Sequence, residues 1–386
     1  MNNVTFFTAP GLDFSPATLS AVPIVTRGLA LAAVKAGWET AVVAAKSPNP
    51  LFPDLATIPV AFSPAPKAGL RLLARRLERK LLQQQSILHR RWVAESATAI
   101  SAVCPPGGVV IAPAELELDI DLARALPNRK FAILFHDCKF ACKPRYFRKL
   151  ADSGIVLCAV SNFTARAAER FFNLQPGAVH TVYNAVDHSI FFPKPRAPGG
   201  PPVISFHGRS VPEKGVDILL EAAVMLAKRG KKFEMQIAGS NRGLNLDLSD
   251  PYQRLLTGQI ASLADLGIPI RRLGNVNWME LPAYLQAADI HVCPHRWDEA
   301  FGMANIEGMA CGLATVAAKS GGTPEVVGDA GLLFGRENVD QLAANLEKLI
   351  MDEPFRTELG RRAHRQALKF TWDNSWASLI RCIVTR

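Results

Sequence analysis

Short apolar runs alternate with helical periodicity along the N-terminal half of the chain. The apolar runs predict strands at residues 4–8, 40–45, 109–112, 131–135 and 155–160. Between the first two strands, residues 21–36 carry a helical pattern that Gly37 ends. Strands that alternate with helices in this way indicate βαβ units and a parallel sheet covered on both faces.

A Pro- and Gly-rich stretch interrupts this alternation. Residues 191–202, FFPKPRAPGGPP, lack periodicity and predict an interdomain linker. The alternation then restarts, with strands at 203–206, 233–238 and 290–293 and helices at 216–228 and near 252–266. We therefore predict an α/β fold with two Rossmann-like, doubly wound parallel-sheet domains at 1–190 and 203–368. Such domains would face a deep interdomain cleft, and ligands bind beyond the carboxyl ends of their strands.

The composition is that of a globular protein. Of the 386 residues, 49% are hydrophobic and 20% are charged, which excludes a disordered chain. No apolar run is long enough to predict a transmembrane helix, and the start MNNVTFFTAP lacks the order of a signal peptide. We therefore expect a cytoplasmic protein. Seven dispersed cysteines favour a reducing compartment, and Cys138 and Cys142 lack the second pair that a zinc site needs.

The net charge of +10 is concentrated in one segment. Residues 67–91, KAGLRLLARRLERKLLQQQSILHRR, contain eight Lys or Arg and a single acid, Glu78. Leucines recur at helical spacing, so the segment predicts an amphipathic helix. It either packs on its own domain or rests on anionic lipid headgroups. Nucleic-acid binding is not favoured, because no aromatic residues are interleaved with the charges.

A basic loop follows the strand at 203–206. In HGRSVPEKG, Arg209 and Lys214 precede a predicted helix. Two cations near a helix N-terminus suit a diphosphate, since arginine supplies a planar fork and lysine a point charge. The alternative is a solvated basic loop, because the order GxxxxGK[ST] of a phosphate-binding P-loop is absent.

Two glutamates stand at the start of a helix in DEAFGMANIEGMACG, residues 298–312. Glu299 precedes the helix predicted to begin near Met303, and Glu307 lies about one turn inside it. Backbone N–H groups at such a start favour an anion. Glu307 could simply stabilise the helix dipole. Alternatively, each carboxylate could accept hydrogen bonds from a diol, one on a sugar and one on a ribose, or the two could form an acid/base pair.

These segments together resemble the retaining glycosyltransferases of family GT4, which have the GT-B fold. The E-x7-E match of Glu299 and Glu307 follows GRSVPEKG, as it does in that family. Other matching segments are SNFTARAAERFF (161–172), VYNAVDHSIFFP (182–193), LGNVNWMELPAYLQAADIHVCPH (273–295), SGGTPEVV (320–327) and FTWDNSWASLI (370–380). The resemblance covers most of the chain, and it implies that residues 369–386 form a helix that crosses back to the N-terminal domain.

The resemblance implies roles for the matched positions. Arg209 and Lys214 would hold the donor diphosphate, Glu299 the sugar, Glu307 the ribose, and the loop 275–277 the base. His136 would be the active-site histidine near the sugar. The implied catalytic residues are His136, Arg209, Lys214 and Glu299. The implied donor-binding residues are Gly11, Gly208, Arg209, Lys214, Asn275, Val276, Asn277, Glu299, Phe301, Gly302, Met303, Ala304 and Glu307.

The sequence departs from the family pattern at three places. The loop TAPGLDFSPATLS after the first strand carries Gly11 where the family usually has a Gly-Gly pair, so Asp13 or Ser15 are expected to supply side-chain contacts. Ala300 stands where the family commonly has Pro, and Gly308 where it frequently has Ala.

The resemblance implies a retaining, metal-independent hexosyltransferase. The donor would be a nucleotide diphosphate sugar, with a UDP-sugar favoured over a GDP-sugar. The acceptor would be a hydroxyl group, and the basic segment 67–91 suggests that it belongs to a membrane-associated glycan in surface polysaccharide or lipopolysaccharide synthesis. This predicts a peripheral position on the inner face of the plasma membrane. No metal or cofactor is predicted, because Asp119-Ile120-Asp121, although spelled D-x-D, lies in an acidic alternation ahead of a helix.

Two other functions remain open from the sequence. A nucleotide-sugar 2-epimerase shares the same architecture, but it would need acid/base carboxylates from the N-terminal half. A non-catalytic module that binds nucleotide sugars or membranes would not need the full set of Arg209, Lys214, Glu299 and Glu307.

Overall fold

The computed structural model divides the chain into two compact units. The first contains Met1–Cys158, Ala168–His180 and Trp376–Arg386, and the second contains Ala159–Ala167 and Thr181–Ser375. The structure describes residues 2–18, 20–62, 87–140, 142, 146–147, 150, 153–194, 199–239 and 250–385. The domain boundaries expected from the sequence, 1–190, 191–202, 203–368 and 369–386, remain predictions.

The first sheet has seven strands in the order β3-β2-β1-β4-β5-β6-β7. These strands are β1 (Asn3–Phe7), β2 (Glu39–Ala45), β3 (Thr57–Val60), β4 (Val109–Ala112), β5 (Lys130–Phe135), β6 (Val156–Ala159) and β7 (Val179–Thr181). The described helices are α1 (Ala21–Lys35), α2 (Ile87–Val103), α3 (Leu116–Ala125) and α4 (Asn162–Phe172). The strand order reverses direction between β1 and β4, and both neighbours of β1 run parallel to it.

The second sheet has six strands in the order β10-β9-β8-β11-β12-β13. These are β8 (Val203–His207), β9 (Glu234–Ala238), β10 (Ile270–Gly274), β11 (Ile290–Cys293), β12 (Ala314–Ala318) and β13 (Leu332–Phe334). The helices are α5 (Val216–Lys228), α6 (Pro251–Asp265), α7 (Leu281–Gln286), α8 (Met303–Ala310), α9 (Thr323–Val327), α10 (Val339–Met351) and α11 (Glu353–Ala367). The last helix, α12 (Trp372–Val384), begins in the second unit and belongs to the first from Trp376 onward. This is the doubly wound order, with its reversal between β8 and β11.

Continuous apolar runs explain the central strands of both sheets. Every residue of β4 (VVIA), β11 (IHVC) and β12 (ATVAA) is buried, as expected for parallel strands covered by helices on both faces. In the second unit, Leu219 and Leu346 lie in one buried cluster with Val292 of the sheet. The packing places the carboxyl ends of β8 and β11 side by side at the point where a ligand binds in such folds.

The sequence located most strands to within a residue or two. The predicted helix 216–228 and strand 290–293 have the observed bounds of α5 and β11. Strand β3 was not predicted. It is an edge strand that contains Pro59, a residue that central strands exclude. Of the predicted basic helix at 67–91, residues 67–86 lie outside the described residues, and α2 begins at Ile87.

Helix α4 begins on a carboxylate. The Glu325 side chain accepts hydrogen bonds from the backbone N–H groups of Asn162 (2.8 Å) and Phe163 (2.7 Å). It also accepts one from the Tyr183 hydroxyl at 3.2 Å. The first N–H groups of a helix have no partner within the helix, and a negative charge there is favourable with the helix dipole. Glu325 therefore ties the start of α4 to the rest of the second unit.

Replacing this carboxylate should weaken the fold. We expect Glu325→Gln to lower the free energy of unfolding by about 1–2 kcal/mol, because an amide oxygen can replace only one acceptor and carries no charge. Urea denaturation followed by tryptophan fluorescence measures this change. The control is Glu358→Gln, whose exposed ion pair with Arg365 should contribute less than about 1 kcal/mol. Equal destabilisation by the two variants would contradict the capping role.

Candidate functional site

The loop between β8 and α5 carries three of the expected site residues, Gly208, Arg209 and Lys214. Arg209 follows Gly208, and Lys214 ends a single 3-10 turn, Pro212–Lys214. Gly215 comes next, with a φ of 69°, and a Cβ there would lie 1.9 Å from the Pro294 carbonyl oxygen. Only glycine fits this position without displacing backbone. The loop after β8 is therefore packed directly against the loop after β11.

The two cations face one aromatic ring. The Trp297 ring centroid lies 4.7 Å from Lys214 Nζ and 6.0 Å from the Arg209 guanidinium carbon. Arg209 is exposed, and its guanidinium makes no hydrogen bond or ion pair with any residue that the structure describes. Its charge is therefore available to an anion, while the aromatic face contributes favourable electrostatics to both cations.

Lys214 is paired with the first of the two predicted glutamates. Its Nζ donates to Glu299 Oε2 at 2.9 Å, and the side chains are only 17% and 14% exposed. The Trp297 Nε1–H donates to the same oxygen at 3.1 Å. His295 Nδ1 lies 3.2 Å away but is not aligned for a hydrogen bond.

This arrangement keeps the Glu299 carboxylate ionised. Burial acts to raise its pKa, but the adjacent Lys214 charge and the hydrogen bonds from Lys214 and Trp297 outweigh burial and lower the pKa to about 2. Burial lowers the pKa of His295 to about 4, so its imidazole is neutral near pH 7. Glu299 can therefore accept hydrogen bonds at neutral pH but carries no proton to donate.

A pair of glycines supports the backbone of Glu299. A Cβ on Gly321 would lie 2.1 Å from the Glu299 carbonyl oxygen, and one on Gly322 would lie 2.5 Å from the Ala300 carbonyl oxygen. The Gly322 N–H donates to the Glu299 carbonyl at 2.7 Å. The Ala300 carbonyl also accepts from the Ser161 hydroxyl at 2.5 Å. The SGGTPEVV turn thus holds the Glu299 segment by contacts that side chains would prevent.

Helix α8 begins at Met303 and carries the second glutamate. Its N-cap, Gly302, has a φ of 92°, and the N–H groups of Met303 and Ala304 make no backbone hydrogen bond within the described part of the chain. These groups can face an anion. Phe301 is fully buried and packs on Tyr183 and Phe370.

Glu307 does not act as a helix cap. Its Oε2 accepts from His207 Nε2 at 2.8 Å, and its side chain is 9% exposed. In both predicted glutamates, Oε2 is thus engaged by a neighbouring side chain. Oε1 of each accepts no hydrogen bond from a residue that the structure describes and is open to a ligand hydroxyl, and the expected pair of bonds from each carboxylate to a diol remains a prediction.

The predicted base-binding loop follows β10. Asn275 and Asn277 are exposed, and Val276 is half-buried. The Asn277 carbonyl accepts from the N–H groups of Glu280 and Leu281, and its Oδ1 accepts from the N–H of Met279. The oxygen atoms of Asn277 therefore stabilise the turn into α7, which leaves its N–H groups for a ligand.

Several residues at this site were not predicted. Arg296 donates to both oxygens of Asp217, at 2.7 and 2.6 Å, and to Glu337 at 2.7 Å, so it joins the loop after β11 to the first turn of α5. The bonds to Asp217 raise the pKa of the arginine. His207 and Trp297 also escaped prediction. Their roles depend on contacts between loops that are far apart in sequence, so no spacing rule reveals them.

The expected histidine of the N-terminal half lies in the first unit. His136 follows β5 and lines a cavity of about 530 Å³, together with Pro10 after β1 and Ala114 after β4. This is the edge of the sheet where the strand order reverses, which is the usual place for a ligand. Burial lowers the pKa of His136 to about 4, so its ring is neutral at pH 7.

The loop after β1 is held by side-chain hydrogen bonds. Asp13 accepts from Ser47 Oγ at 2.6 Å and from Asn49 Nδ2 at 2.8 Å. Burial acts to raise the pKa of Asp13, but these bonds outweigh it and lower the pKa. Ser15 is buried, and its Oγ accepts from the Ala17 N–H. Gly11, with a φ of 97°, lines a second cavity of about 510 Å³.

The two aspartates of the D-x-D spelling have different environments. Asp119 is fully buried, and burial raises its pKa well above the usual range. Asp121 Oδ2 instead accepts from the Tyr146 hydroxyl and lies 3.0 Å from His89 Nε2. Within the described ranges, no three His, Cys, Asp or Glu side chains are grouped to hold a metal ion. No disulfide joins any of the seven cysteines, all of which are described.

Known proteins share both the sequence pattern and the fold. Residues 187–366 match the family described as "Glycosyl transferases group 1". A D-inositol 3-phosphate glycosyltransferase of Saccharomonospora viridis is 30% identical over 55% of this chain and 51% of its own. The O-antigen chain mannosyltransferase B of Escherichia coli is 28% identical over 64% of this chain and 69% of its own. The chain thus spans about half the length of the first of these relatives.

Solved structures resemble the whole chain in fold. Sucrose-phosphate synthase of Thermosynechococcus elongatus has a TM-score of 0.74 at 18% identity and covers 100% of this chain and 99% of its own. Anabaena Alr3699/HepE in complex with UDP and glucose has a TM-score of 0.73 at 17% identity and covers 99% of both chains.

The match over residues 187–366 and the names of the relatives support the GT4-like glycosyltransferase family that the sequence motifs indicated. The two parallel-sheet α/β units and their structural neighbours confirm the predicted GT-B fold class.

The glycine support of Glu299 can be tested by adding one methyl group. Gly322 has an ordinary φ of −79°, so Gly322→Ala introduces only the clash with Ala300 and Ser161. We expect this variant to lose about 1–3 kcal/mol of unfolding free energy, which is typical of overpacking.

The matched control is Gly258→Ala, measured by the same urea denaturation. Gly258 lies on the exposed side of α6 with nothing within 4 Å of the added Cβ. The alanine should raise the unfolding free energy by up to about 1 kcal/mol, because it is a better helix former. If Gly322→Ala were as stable as the control, the close approach would not constrain the site.

Proposed function

We propose that this chain is a retaining glycosyltransferase that transfers a hexose from a nucleotide diphosphate sugar to a hydroxyl group. The family match over residues 187–366 and the names of the relatives support this activity. The observation that carries the proposal is the arrangement of Arg209 and Lys214. Both cations follow β8, face the loop after β11, and lie in the same unit as the open N-terminus of α8.

Electrostatics explains what this arrangement can do. A nucleotide diphosphate develops negative charge as its bond to the sugar breaks, and fixed positive groups stabilise that charge in the transition state. Arg209 has no anionic partner among the described residues, and Lys214 has further N–H donors beyond the one that Glu299 accepts. We therefore assign the stabilisation of this charge to Arg209 and Lys214 rather than to a metal ion.

The transfer step follows from these roles. The acceptor oxygen forms a bond to the anomeric carbon, and the bond from that carbon to the diphosphate oxygen breaks. The departing diphosphate takes the proton of the acceptor hydroxyl, which gives same-face attack and retention. Glu299 is ionised and bound to Lys214, so it positions sugar hydroxyls through Oε1 rather than donating a proton.

The donor is proposed to be a UDP-sugar, with a GDP-sugar as the second choice. A structural neighbour, Anabaena HepE, was solved with UDP and glucose. A relative from Corynebacterium glutamicum is named as a GDP-mannose-dependent mannosyltransferase acting on a phosphatidylinositol monomannoside. The O-antigen relative supports a glycan acceptor in surface polysaccharide or lipopolysaccharide synthesis.

His136 is proposed to act near the transferred sugar from the first unit. Its neutral imidazole can donate one hydrogen bond and accept another at pH 7. The cavity beside it is also lined by Glu115, Glu117 and Asp137, which supplies the carboxylates that a 2-epimerase would need. This observation keeps the epimerase as a second candidate.

The cations can be tested by removing each side chain. We expect Arg209→Ala and Lys214→Ala to lower kcat/KM for UDP-sugar hydrolysis or transfer by about 100-fold or more, a loss of roughly 3 kcal/mol of transition-state stabilisation. Lys228→Ala, at an exposed position in the last turn of α5, is the control and should retain activity. Released UDP or GDP is measured with a panel of donors.

Two outcomes would contradict the proposal. Near-wild-type turnover in both Lys214→Ala and Glu299→Ala would show that the site does not perform the reaction. Formation of the 2-epimer of the donor sugar without any acceptor would instead identify the epimerase, and product analysis of the same incubations detects it.

We further propose that the basic segment 67–91 binds anionic membranes, which would bring the enzyme to a lipid-linked acceptor. The proposal rests on the charge and leucine pattern of the sequence. Among the residues that the structure describes, no helix is both long enough and apolar enough to cross a membrane.

Liposome flotation tests this membrane role. Vesicles with anionic phospholipid should float the native protein but not a variant with Glu at Arg75, Arg76, Arg79 and Lys80. The charge-matched control carries Glu at four cations of the second unit, Lys228, Arg254, Arg361 and Lys369. The proposal would be wrong if the native protein and the 75–80 variant floated equally. It would also be wrong if the 75–80 variant and the charge-matched control lost flotation to the same extent.

A further inference from the structure

A histidine contacts the glutamate that was expected to hold the ribose. His207 is the last residue of β8, and its Nε2 lies 2.8 Å from Glu307 Oε2. The two side chains are only 11% and 9% exposed. A contact between two such buried groups fixes their orientation more firmly than a surface pair can.

A second histidine holds the first one in place. The His207 ring stacks on the His291 ring, with centroids 4.9 Å apart and planes inclined by 28°. His291 is fully buried, and its Nδ1 lies 3.1 Å from Ser205 Oγ. Its Nε2 lies 3.3 Å from Cys293 Sγ. The His291 ring is therefore fixed at both nitrogens and provides a rigid surface for His207.

Gly308 makes room for this stack. A Cβ at Gly308 would lie 2.5 Å from His291 Cδ2 and 2.7 Å from its Cγ, closer than packed atoms can approach. This explains why glycine stands at the position where the family frequently has alanine. The buried His291 ring can therefore occupy its position only because residue 308 has no side chain.

The surroundings of His207 define its hydrogen bonding. Its Nδ1 is buried and has no hydrogen-bond partner in the described part of the chain. A hydrogen on Nδ1 would thus be a buried donor without an acceptor, which is costly. We therefore place the donated hydrogen on Nε2, which contacts Glu307 Oε2, so this carboxylate oxygen is engaged and the other, Oε1, is left in a fixed direction.

We propose that His207 is a positioning residue that orients Glu307 to accept a single ribose hydroxyl through Oε1. The inference rests on the proposed function, since it needs a nucleotide at this site. Without His207, the carboxylate could rotate about its last bond and would lose the preorganisation that makes its bond to the ligand selective. His207 itself need not touch the nucleotide.

The test compares ligands that differ by one hydroxyl. Affinities for the nucleoside diphosphate that binds more tightly, UDP or GDP, and for its 2′-deoxy and 3′-deoxy forms are measured by calorimetry. We call the affinity for the nucleotide divided by the affinity for its deoxy form the hydroxyl ratio. In the native protein this ratio should be about 10 or more for the contacted hydroxyl, as expected for a hydrogen bond to a charged group. If His207 had a purely structural role, variants of His207 would have the same ratio as the native protein.

Three variants separate the contributions. His207→Phe keeps a ring for the stack on His291 but removes the donor, and its ratio should fall to about 3-fold or less. His207→Gln retains an N–H donor and should recover most of the native ratio. Glu307→Gln should lose the ratio. If His207→Phe does not fold, as judged by thermal unfolding, His207→Met replaces it, because a thioether also lacks a donor.

Each result decides between the inferences. A native ratio in His207→Phe, together with a lost ratio in Glu307→Gln, would overturn the role of His207 and leave the proposed function intact. If all variants kept the native ratio, Glu307 would not contact the ribose, and the positioning role of His207 would again be overturned. Failure of the native protein to bind either UDP or GDP would overturn both this inference and the proposed function.

Discussion

The ion pair between Lys214 and Glu299 is the contact on which the candidate site of the second unit depends. A carboxylate that is 14% exposed is stable in its ionised form only when a cation and hydrogen-bond donors surround it. Lys214 supplies the cation and, with Trp297, the hydrogen bonds to Glu299 Oε2. Gly321 and Gly322 fix the backbone of Glu299 and Ala300. The pair therefore holds one cation beside Arg209 and keeps Glu299 negatively charged.

The same physical rule recurs around this pair. Arg296 binds Asp217 through two parallel hydrogen bonds, and His207 donates to Glu307. Each pair joins a group in or after β8 to one in or after β11, so these polar contacts fix the segments on either side of the strand reversal. Buried ion pairs add little net stability compared with apolar packing. Their value here is geometric, because they fix the directions of the free carboxylate oxygens and of Lys214.

Much of the fold could be predicted because it depends on local patterns. The apolar runs of β4 and β11 and the helical spacing of α5 are properties of neighbouring residues, and they gave the observed bounds. The positions of Arg209, Lys214 and Glu299 after strands also follow from local order. The pairing of Lys214 with Glu299 was not predicted, because 85 residues separate them and only the folded sheet brings their loops together.

Other features escaped prediction for the same reason. Residues 159–167 belong to the second unit, where the Glu325 carboxylate caps α4, although they precede the predicted linker by more than twenty residues. The only sequence signal for the stack of His207 on His291 was Gly308. Glycine stands there in place of the family's frequent alanine, and the residues next to it in sequence do not explain why. The roles expected for His136, Gly11 and the 275–277 loop remain predictions.

We propose that Arg209 and Lys214 hold a diphosphate while Glu307 holds the attached ribose. A crystal structure with bound UDP or GDP decides whether they do. We expect β-phosphate oxygens within about 4 Å of Lys214 Nζ and the Arg209 guanidinium, and one ribose hydroxyl within about 3.2 Å of Glu307 Oε1. A nucleotide bound with its phosphates away from both cations, or with its ribose away from Glu307, would contradict it.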